Sequence, residues 1–594
     1  MSPALTDTAP AEAHQAAPDP VHGTPTHGAP EGRHTSKQDI DSALAEMAIP
    51  AAEWPRVPAE ERISLVEQLL YTFSTVGERW AEACREAEGL PEKGVGDGEE
   101  WLVGPYLVER NLRLLRDSLQ EIHRSGRPKI PGPITRRPSG QLSARVFPHS
   151  TWDRLFFPGV TAEVVMKPGV DGKQIRARQA WAYREPDDGG IALVLGAGNV
   201  SSIGPTDALY KLFVENRAVI YKTHPVNEYL GPLLEEGLRP LVERGLLQVV
   251  YGGADEGDYL CNHPGVDEVH ITGSDKTYEV IVFGSGEQGK KRLQENRPRL
   301  DKEVSAELGN VSPLIVVPGP WTASDLAYQA ENIASSLVNN AGFNCNATRV
   351  VVQHAEWNQR RSLIRSVEEV LQRTPTRRAY YPGAAQRHAS FLQAHPEAKL
   401  FGDAEDDELP WTLIPDLDPE AKDDICYNTE AFCGVFGDTA LSAEDVPTFL
   451  QRAVDFCNDT LWGSLNVTLI VHPKTLADRH NREAFEAAVD ALRFGTVAIN
   501  HWAGISFGVM NTTWGAFPGH SPQDIQSGIG VVHNTQMFAD PEKSILRAPF
   551  RAFPKAPWFT THGSARPLGA ALADFEAEPS LFKLPGVFWH ALRG

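Results

Sequence analysis

The chain has 594 residues, 41% of them hydrophobic and 23% charged, an ordinary balance for a globular protein and long enough for more than one core. Its net charge of −22 disfavours a nucleic-acid or anionic-membrane partner, because phosphate binding needs a basic face; no run approaches the roughly 18 apolar residues of a membrane span, and residues 1–33 have no apolar segment of the signal-peptide kind. Six cysteines without CxxC spacing argue for reduced thiols in a cytoplasmic compartment and against a disulfide framework, and neither zinc nor haem is suggested.

Residues 1–36 form a low-complexity leader with His14, His22, His27 and His34, too poor in apolar surface to order itself and read as a solvated tail. From 36 to 127 the pattern is helical: Ile63, Leu65, Val66, Leu69 and Leu70, then Tyr106, Leu107, Leu112, Leu114 and Leu115, recur at spacings of three and four. Residues 143–183 alternate and carry β-branched side chains, as in Gly159-Val-Thr-Ala-Glu-Val-Val-Met166, which predicts extended strands. Ile191-Ala-Leu-Val-Leu195 is a continuous apolar run ending in Gly196-Ala-Gly-Asn199, followed by a helix near 206–216. Ala218-Val-Ile-Tyr221 closes on Lys222, Gln248-Val-Val-Tyr251 on Gly252-Gly253, and Glu268-Val-His-Ile271 on Thr272-Gly-Ser274. Strands alternating with helices and ending in such turns predict a doubly wound α/β sheet with a ligand across its carboxyl edge. The literal GxGxxG of Gly284-Ser-Gly-Glu-Gln-Gly289 is followed by Lys290, Lys291 and Arg292 rather than a clean strand, so 275–305 reads as a surface insertion. Residues 306–506 form a second α/β region, with strand-like Leu314-Ile-Val-Val317, Val350-Val-Val352 and Gly495-Thr-Val-Ala-Ile-Asn500 and helix-like 327–337 and 446–456. The tail from Met537 is rich in proline and aromatics and matches no period; it reads as an extended arm or a subunit contact. The expected division is a leader at 1–36, a cofactor domain at 37–305 containing the strand-rich 143–183, a catalytic domain at 306–506, and a C-terminal segment at 507–594 with oligomerisation contacts.

Cys345 is the candidate nucleophile. A lone cysteine is usually a small buried hydrophobe, but Asn340-Ala-Gly-Phe-Asn-Cys-Asn-Ala-Thr-Arg349 sets it among loop-forming residues, where scaffolds place nucleophiles. Glu307-Leu-Gly-Asn-Val-Ser-Pro313 offers a carboxylate suited to base-assisted release of an acyl thioester. Asn199, at a strand-to-helix turn, can donate to an oxyanion or cap the helix.

NAGFNCNATR resembles the nucleophile loop of the aldehyde dehydrogenase superfamily, whose familiar form is Asn-Ala-Gly-Gln-x-Cys, and ELGNVSP resembles its ELGGKSP; the likeness extends to about Gly530. The resemblance implies a Rossmann-type cofactor domain, a second α/β catalytic domain, and a β arm from 143–183 that associates subunits into a dimer or tetramer. It implies an oxyanion role for Asn199, although Gly196-Ala-Gly replaces Pro-Trp and should leave a less bulky wall. Lys222 would contact the adenosine ribose, and Thr272, Gly273 and Ser274, which match FTGS, would with Gly253 hold the cofactor. Glu430-Ala-Phe-Cys-Gly434 resembles EIFGP, so Glu430 would hold the nicotinamide ribose and Phe432 would pack beside the ring. Val454 to Gly463 and Gln526-Ser-Gly-Ile-Gly530 match further segments that mark the fold. Pro225 stands where the superfamily often has Glu, so NAD and NADP both remain open, and His224 could help the latter.

These roles add up to oxidation of an aldehyde: Cys345 attacks, hydride leaves for the nicotinamide, and Glu307 activates water to release the acid. The rival within enzymes is a CoA-acylating or acyl-reducing relative, favoured by the Gly-Ala-Gly-Asn turn and opposed by the retained Glu307. From another class, a catalytically silent nucleotide-binding subunit is opposed by the competence of Cys345, Glu307, Asn199 and Glu430. His501, Trp502, Trp514 and Phe517 follow the GTVAIN strand, where the superfamily puts part of its substrate tunnel, and suggest a medium or bulky apolar or aromatic aldehyde.

Overall fold

Short apolar strands buried on both faces build the first sheet. Its order is Leu247–Val250, Ala218–Lys222, Ile191–Leu195, Glu268–Gly273 and Glu303–Leu308, all parallel, with Gly528–Ile529 antiparallel at the edge. Leu195 pairs with Lys222 on one side and Ile271 on the other, so the turns after these strands share one carboxyl edge. Strand order reverses between Ile191–Leu195 and Glu268–Gly273, the place where open α/β sheets leave a crevice for a ligand. This is a computed structural model that describes residues 32–92 and 94–594. The leader up to residue 31, with His14, His22 and His27, lies outside the described residues.

The predicted helical entry is present as Lys37–Glu53, Ala59–Ser74, Gly77–Ala87, Val95–Val103 and Pro105–Ser125. Its periodic side chains, among them Leu65, Leu69, Leu112 and Leu115, are buried in the core that also takes in Leu193, Val194 and Ile220 of the sheet. Residues 275–305 are not a surface insertion. Helices Asp275–Phe283 and Gly286–Gln294 form the crossover between the parallel strands Glu268–Gly273 and Glu303–Leu308. Tyr278, Val282 and Phe283 pack on Ile271, Ala306 and Leu308, an inward face that the adjoining basic run obscured. The GxGxxG glycines make the corner between these helices: Gly284 has φ +90°, and a Cβ on Gly289 would meet the Gly284 carbonyl oxygen at 1.9 Å.

The larger sheet has eleven strands, in the order Ile134–Arg136, Leu142–Phe147, Thr161–Met166, Pro541–Arg547, Thr496–Ile499, Asn466–Ile470, Pro313–Val316, Val350–His354, Val435–Leu441, Trp411–Leu417 and Lys399–Phe401. The seven from Pro541–Arg547 to Trp411–Leu417 are parallel. Of the extended strands predicted over 143–183, only Leu142–Phe147 and Thr161–Met166 form, and they extend this sheet within the same chain, Thr161–Met166 pairing antiparallel with Pro541–Arg547; Thr151–Phe156, Gly172–Arg178 and Trp181–Arg184 are helices instead. The unassigned tail thus supplies an interior strand, then helices Ala565–Ala577 and Leu584–Ala591. Among the described residues, no helix is long and apolar enough to cross a membrane.

Candidate active site

The segment before Cys345 is bent against its own preference. Helix Ala323–Val338 opens on a Thr322/Asp325 capping box, and the chain after it turns with Asn340, Ala341 and Gly342 at φ +51°, +52° and +80°. A left-handed residue other than glycine costs about 1 kcal/mol, so neighbours must hold the turn. Tyr380 donates its hydroxyl to Asn340 Oδ1 at 2.8 Å, Asn340 Nδ2 donates to the Asn199 carbonyl at 2.7 Å, and the Asn340 backbone N–H reaches Glu99 at 3.1 Å. Arg349 donates to the Gly342 carbonyl at 2.6 Å and to the Cys433 carbonyl, and Ser312 Oγ donates to the Cys345 carbonyl at 3.0 Å. Gly342 must be glycine, since a Cβ would lie 2.6 Å from the Cys433 carbonyl carbon.

Cys345 emerges half-buried into a cavity of about 210 Å³ that Glu307 and Asn199 also line. Burial, then the carboxylates of Glu307 and Glu430, raise its thiol well above the usual range, so the resting form is SH. Glu307 is 3% exposed. One of its oxygens accepts from Trp514 Nε1–H and the other has no partner. Burial and the nearby Asp207 push its carboxyl up to about 8. Asn199 spends one amide hydrogen on the Phe343 carbonyl at 2.8 Å, which leaves a second donor. His501 and Trp502 join this lining as expected, Trp502 Nε1 donating to the Asn346 carbonyl at 2.7 Å; Phe517 instead lies against Lys543 Nζ at 5.8 Å.

The residues expected to serve a cofactor ring the first sheet's carboxyl edge. Lys222 is buried, donates to the Thr223 carbonyl at 3.0 Å, and is lowered by burial to about 8. Gly253 caps helix Ala254–Asn262, its N–H donating to Glu256 Oε2 at 2.7 Å. Thr272 Oγ1 donates to Asp207 at 2.9 Å, Gly273 ends its strand, and Ser274 caps helix Asp275–Phe283. Glu430 keeps one buried oxygen unpartnered, and burial raises its carboxyl to about 7. Phe432, at φ +42°, packs against Tyr381 with ring centroids 4.9 Å apart. Asp207, Glu99, Arg377 and Tyr380 also shape the site, although no local motif marks them.

Residues 170–391 match the model of the aldehyde dehydrogenase family. The chain is 31% identical over 211 residues to 4-trimethylaminobutyraldehyde dehydrogenase A of Danio rerio, covering 35% of this chain and 37% of that protein. It is 25% identical over 341 residues to the N-succinylglutamate 5-semialdehyde dehydrogenase of Sphingopyxis alaskensis, covering 57% and 59%. The family match over residues 170–391 and these relatives indicate the aldehyde dehydrogenase superfamily. The chain nevertheless matches less than two thirds of the length of either curated relative. Solved structures share the fold: NADP-dependent glyceraldehyde-3-phosphate dehydrogenase of Bacillus halodurans, complexed with NADP, has TM-score 0.56 and 18% identity over 87% of this chain and 92% of its own. A mutant aldehyde dehydrogenase C of Pseudomonas syringae, complexed with NAD+ and octanal, has TM-score 0.57 and 16% identity over 87% and 90%.

Two expectations drawn from the superfamily's pattern change. The Gly196-Ala-Gly-Asn199 turn does not leave an open wall. Cβ atoms on Gly196 and Gly198 would meet Tyr221 Oη and His224 Nδ1, both at 2.3 Å, so larger side chains from the next strand and the turn after it fill that space. His224 stacks near Tyr381, 5.9 Å between centroids, and burial lowers it to about 4. Its Nδ1 accepts from the Val226 N–H at 3.1 Å, so a neutral imidazole there would meet a 2′-phosphate with an Nε2–H donor rather than with the charge expected of it.

Proposed function

We propose that this aldehyde dehydrogenase oxidises an aldehyde to a carboxylic acid with NAD or NADP as hydride acceptor. The observation that carries the reading is the convergence of Cys345, Asn199 and the unpartnered oxygen of Glu307 on one cavity. The Cys345 thiol gives up its proton to solvent and its sulfur bonds to the carbonyl carbon as the carbonyl π bond opens; the resulting oxyanion accepts from the free amide hydrogen of Asn199. A nicotinamide held beside Cys345 would supply the chemistry of taking the hydride, which would leave an acyl group on Cys345. Glu307 then takes a proton from water, the hydroxide adds to the acyl carbon, and the carbon–sulfur bond breaks as Glu307 passes that proton to the sulfur, which returns the thiol and the acid.

The residues present suit a dinucleotide. Glu430 holds a buried oxygen with no protein partner, as a ribose hydroxyl requires, and Lys222 is an ammonium at the crevice edge. Lys222, Gly253, Thr272, Gly273, Ser274, Glu430 and Phe432 are the residues that would hold it. The same reading makes the protein cytoplasmic and homo-oligomeric, with Ile134–Arg136, the partly exposed edge of the larger sheet, free to meet a second copy.

The test is nicotinamide absorbance with an aldehyde panel, NAD or NADP, with and without CoA. Reduction without CoA that yields the free acid is expected. Cys345→Ala should abolish it, and Glu307→Gln should keep a single-turnover burst while steady turnover falls about 10²- to 10⁴-fold. Strict dependence on CoA would refute the hydrolytic step.

A further inference from the structure

The Cys345 cavity does not end at the chemistry. It continues between helix Pro105–Ser125, helix Thr151–Phe156, the loop 549–558 and the two C-terminal helices. Its polar lining clusters at the reactive end: Glu99 and Asn199 are tied to the nucleophile turn, and the buried His501 is lowered to about 4 and so is neutral. Beyond that end the walls are apolar, with Leu107, Phe156, Leu568, Leu572, Val587 and Phe588 among them. Lys555 is the one cation of the lining among the described residues, and its ammonium donates to Thr561 Oγ1 at 2.7 Å. Apart from Lys555 and the unpartnered Trp558 Nε1–H, no group of that lining among the described residues is placed to receive a carboxylate or a phosphate on the far end of a substrate.

Exposure points the same way. Of the eleven exposed large apolar side chains among the described residues, six lie in segments that wall this cavity or lead directly into them: Leu155, Phe553, Leu581, Phe582, Trp589 and Leu592. Such a concentration marks a surface that meets apolar material.

We propose that the substrate is a long-chain aliphatic aldehyde whose hydrocarbon tail lies along this cavity, and that Leu572 and Val587 of the C-terminal helices set the length of tail accepted. The inference rests on the proposed aldehyde oxidation at Cys345. Each methylene buried beyond the reactive end should raise kcat/KM by up to about fourfold until the tail reaches the C-terminal wall.

The experiment is a series of n-alkanals from propanal to dodecanal, with succinic semialdehyde and 4-trimethylammoniobutanal as charged alternatives. A rise with chain length followed by a plateau is expected, with Leu572→Trp and Val587→Trp each moving the plateau to shorter alkanals. Should the tryptophan variants fail to fold, Leu572→Ala should move it to longer ones, and the wild-type series stands alone as a test. A flat series, or preference for either charged aldehyde, overturns the proposal. Displacement of a fluorescent fatty-acid probe by saturated fatty acids separates the two readings. Chain-length-dependent displacement without turnover on any aldehyde would sink the oxidation at Cys345 and leave the apolar ligand standing. Turnover with no chain-length trend in either assay would do the reverse.

Discussion

Burial and the facing Asp207 hold the Glu307 carboxyl above the usual carboxylate range, at about 8, and that decides how a base at this position would work. Its carboxyl is removed from water, receives a single hydrogen bond from Trp514, and faces Asp207, so the charged form is disfavoured until about pH 8. If deprotonation of Glu307 limits acyl release, kcat should rise with pH, about tenfold per unit well below 8, and level off above it. Asp207→Asn removes the facing negative charge, which stabilises the carboxylate, so the inflection should move to lower pH and turnover at pH 7 should increase. A pH profile of kcat for both proteins checks this. An inflection that stays in place would show that Asp207 does not act on the base.

The turn before Cys345 is the element on which the proposed reactivity depends. Gly342 combines a left-handed backbone with close contact to the Cys433 carbonyl, so Gly342→Ala adds strain of about 1–3 kcal/mol and forces the turn away from its partner strand. A lowered Tm together with a larger fractional loss of kcat is expected; a variant with wild-type kcat would show that the turn tolerates displacement. Behind the turn, Glu99 accepts from the Asn340 N–H at 3.1 Å and from Arg377 at 2.6 Å. Glu99→Gln weakens the Arg377 contact while keeping an acceptor, whereas Glu99→Ala removes both. Stopped-flow alkylation of Cys345 should therefore slow more in Glu99→Ala than in Glu99→Gln, and equal rates in the two would discard a positioning role. Cys345, Glu307 and Asn199 were legible because each sits in a short contiguous motif. Glu99, Asp207, Arg377 and Tyr380 were not, because each reaches the site from a distant segment through a contact that leaves no local pattern.

At the scale of the whole molecule, the parallel strands after Ile191 were legible from apolar runs ended by glycine, lysine or serine turns. The C-terminal segment was not, because its strand Pro541–Arg547 is placed by pairing with Thr496–Ile499 and Thr161–Met166, partners far away in sequence. What holds its helix Ala565–Ala577 in place is a buried ionic knot. Glu576 accepts from Arg110 at 2.8 Å and also from Arg113, while Arg110 donates to Asp153 at 3.0 Å, and none of the four is more than 3% exposed. Two guanidinium groups and two carboxylates balance, so neutralising one carboxylate leaves a buried positive charge unanswered, which costs about 3–5 kcal/mol. Glu576→Gln should lower the urea midpoint accordingly. The exposed pair of Glu121 and Arg124, 3.5 Å apart, serves as the comparison, since Glu121→Gln should change stability by less than about 1 kcal/mol. Because the same helix supplies Leu568 and Leu572 to the cavity wall, Glu576→Gln should also reduce turnover of long alkanals more than that of propanal at temperatures where the protein remains folded. An equal reduction for every chain length would mean that the knot supports the fold without shaping the cavity.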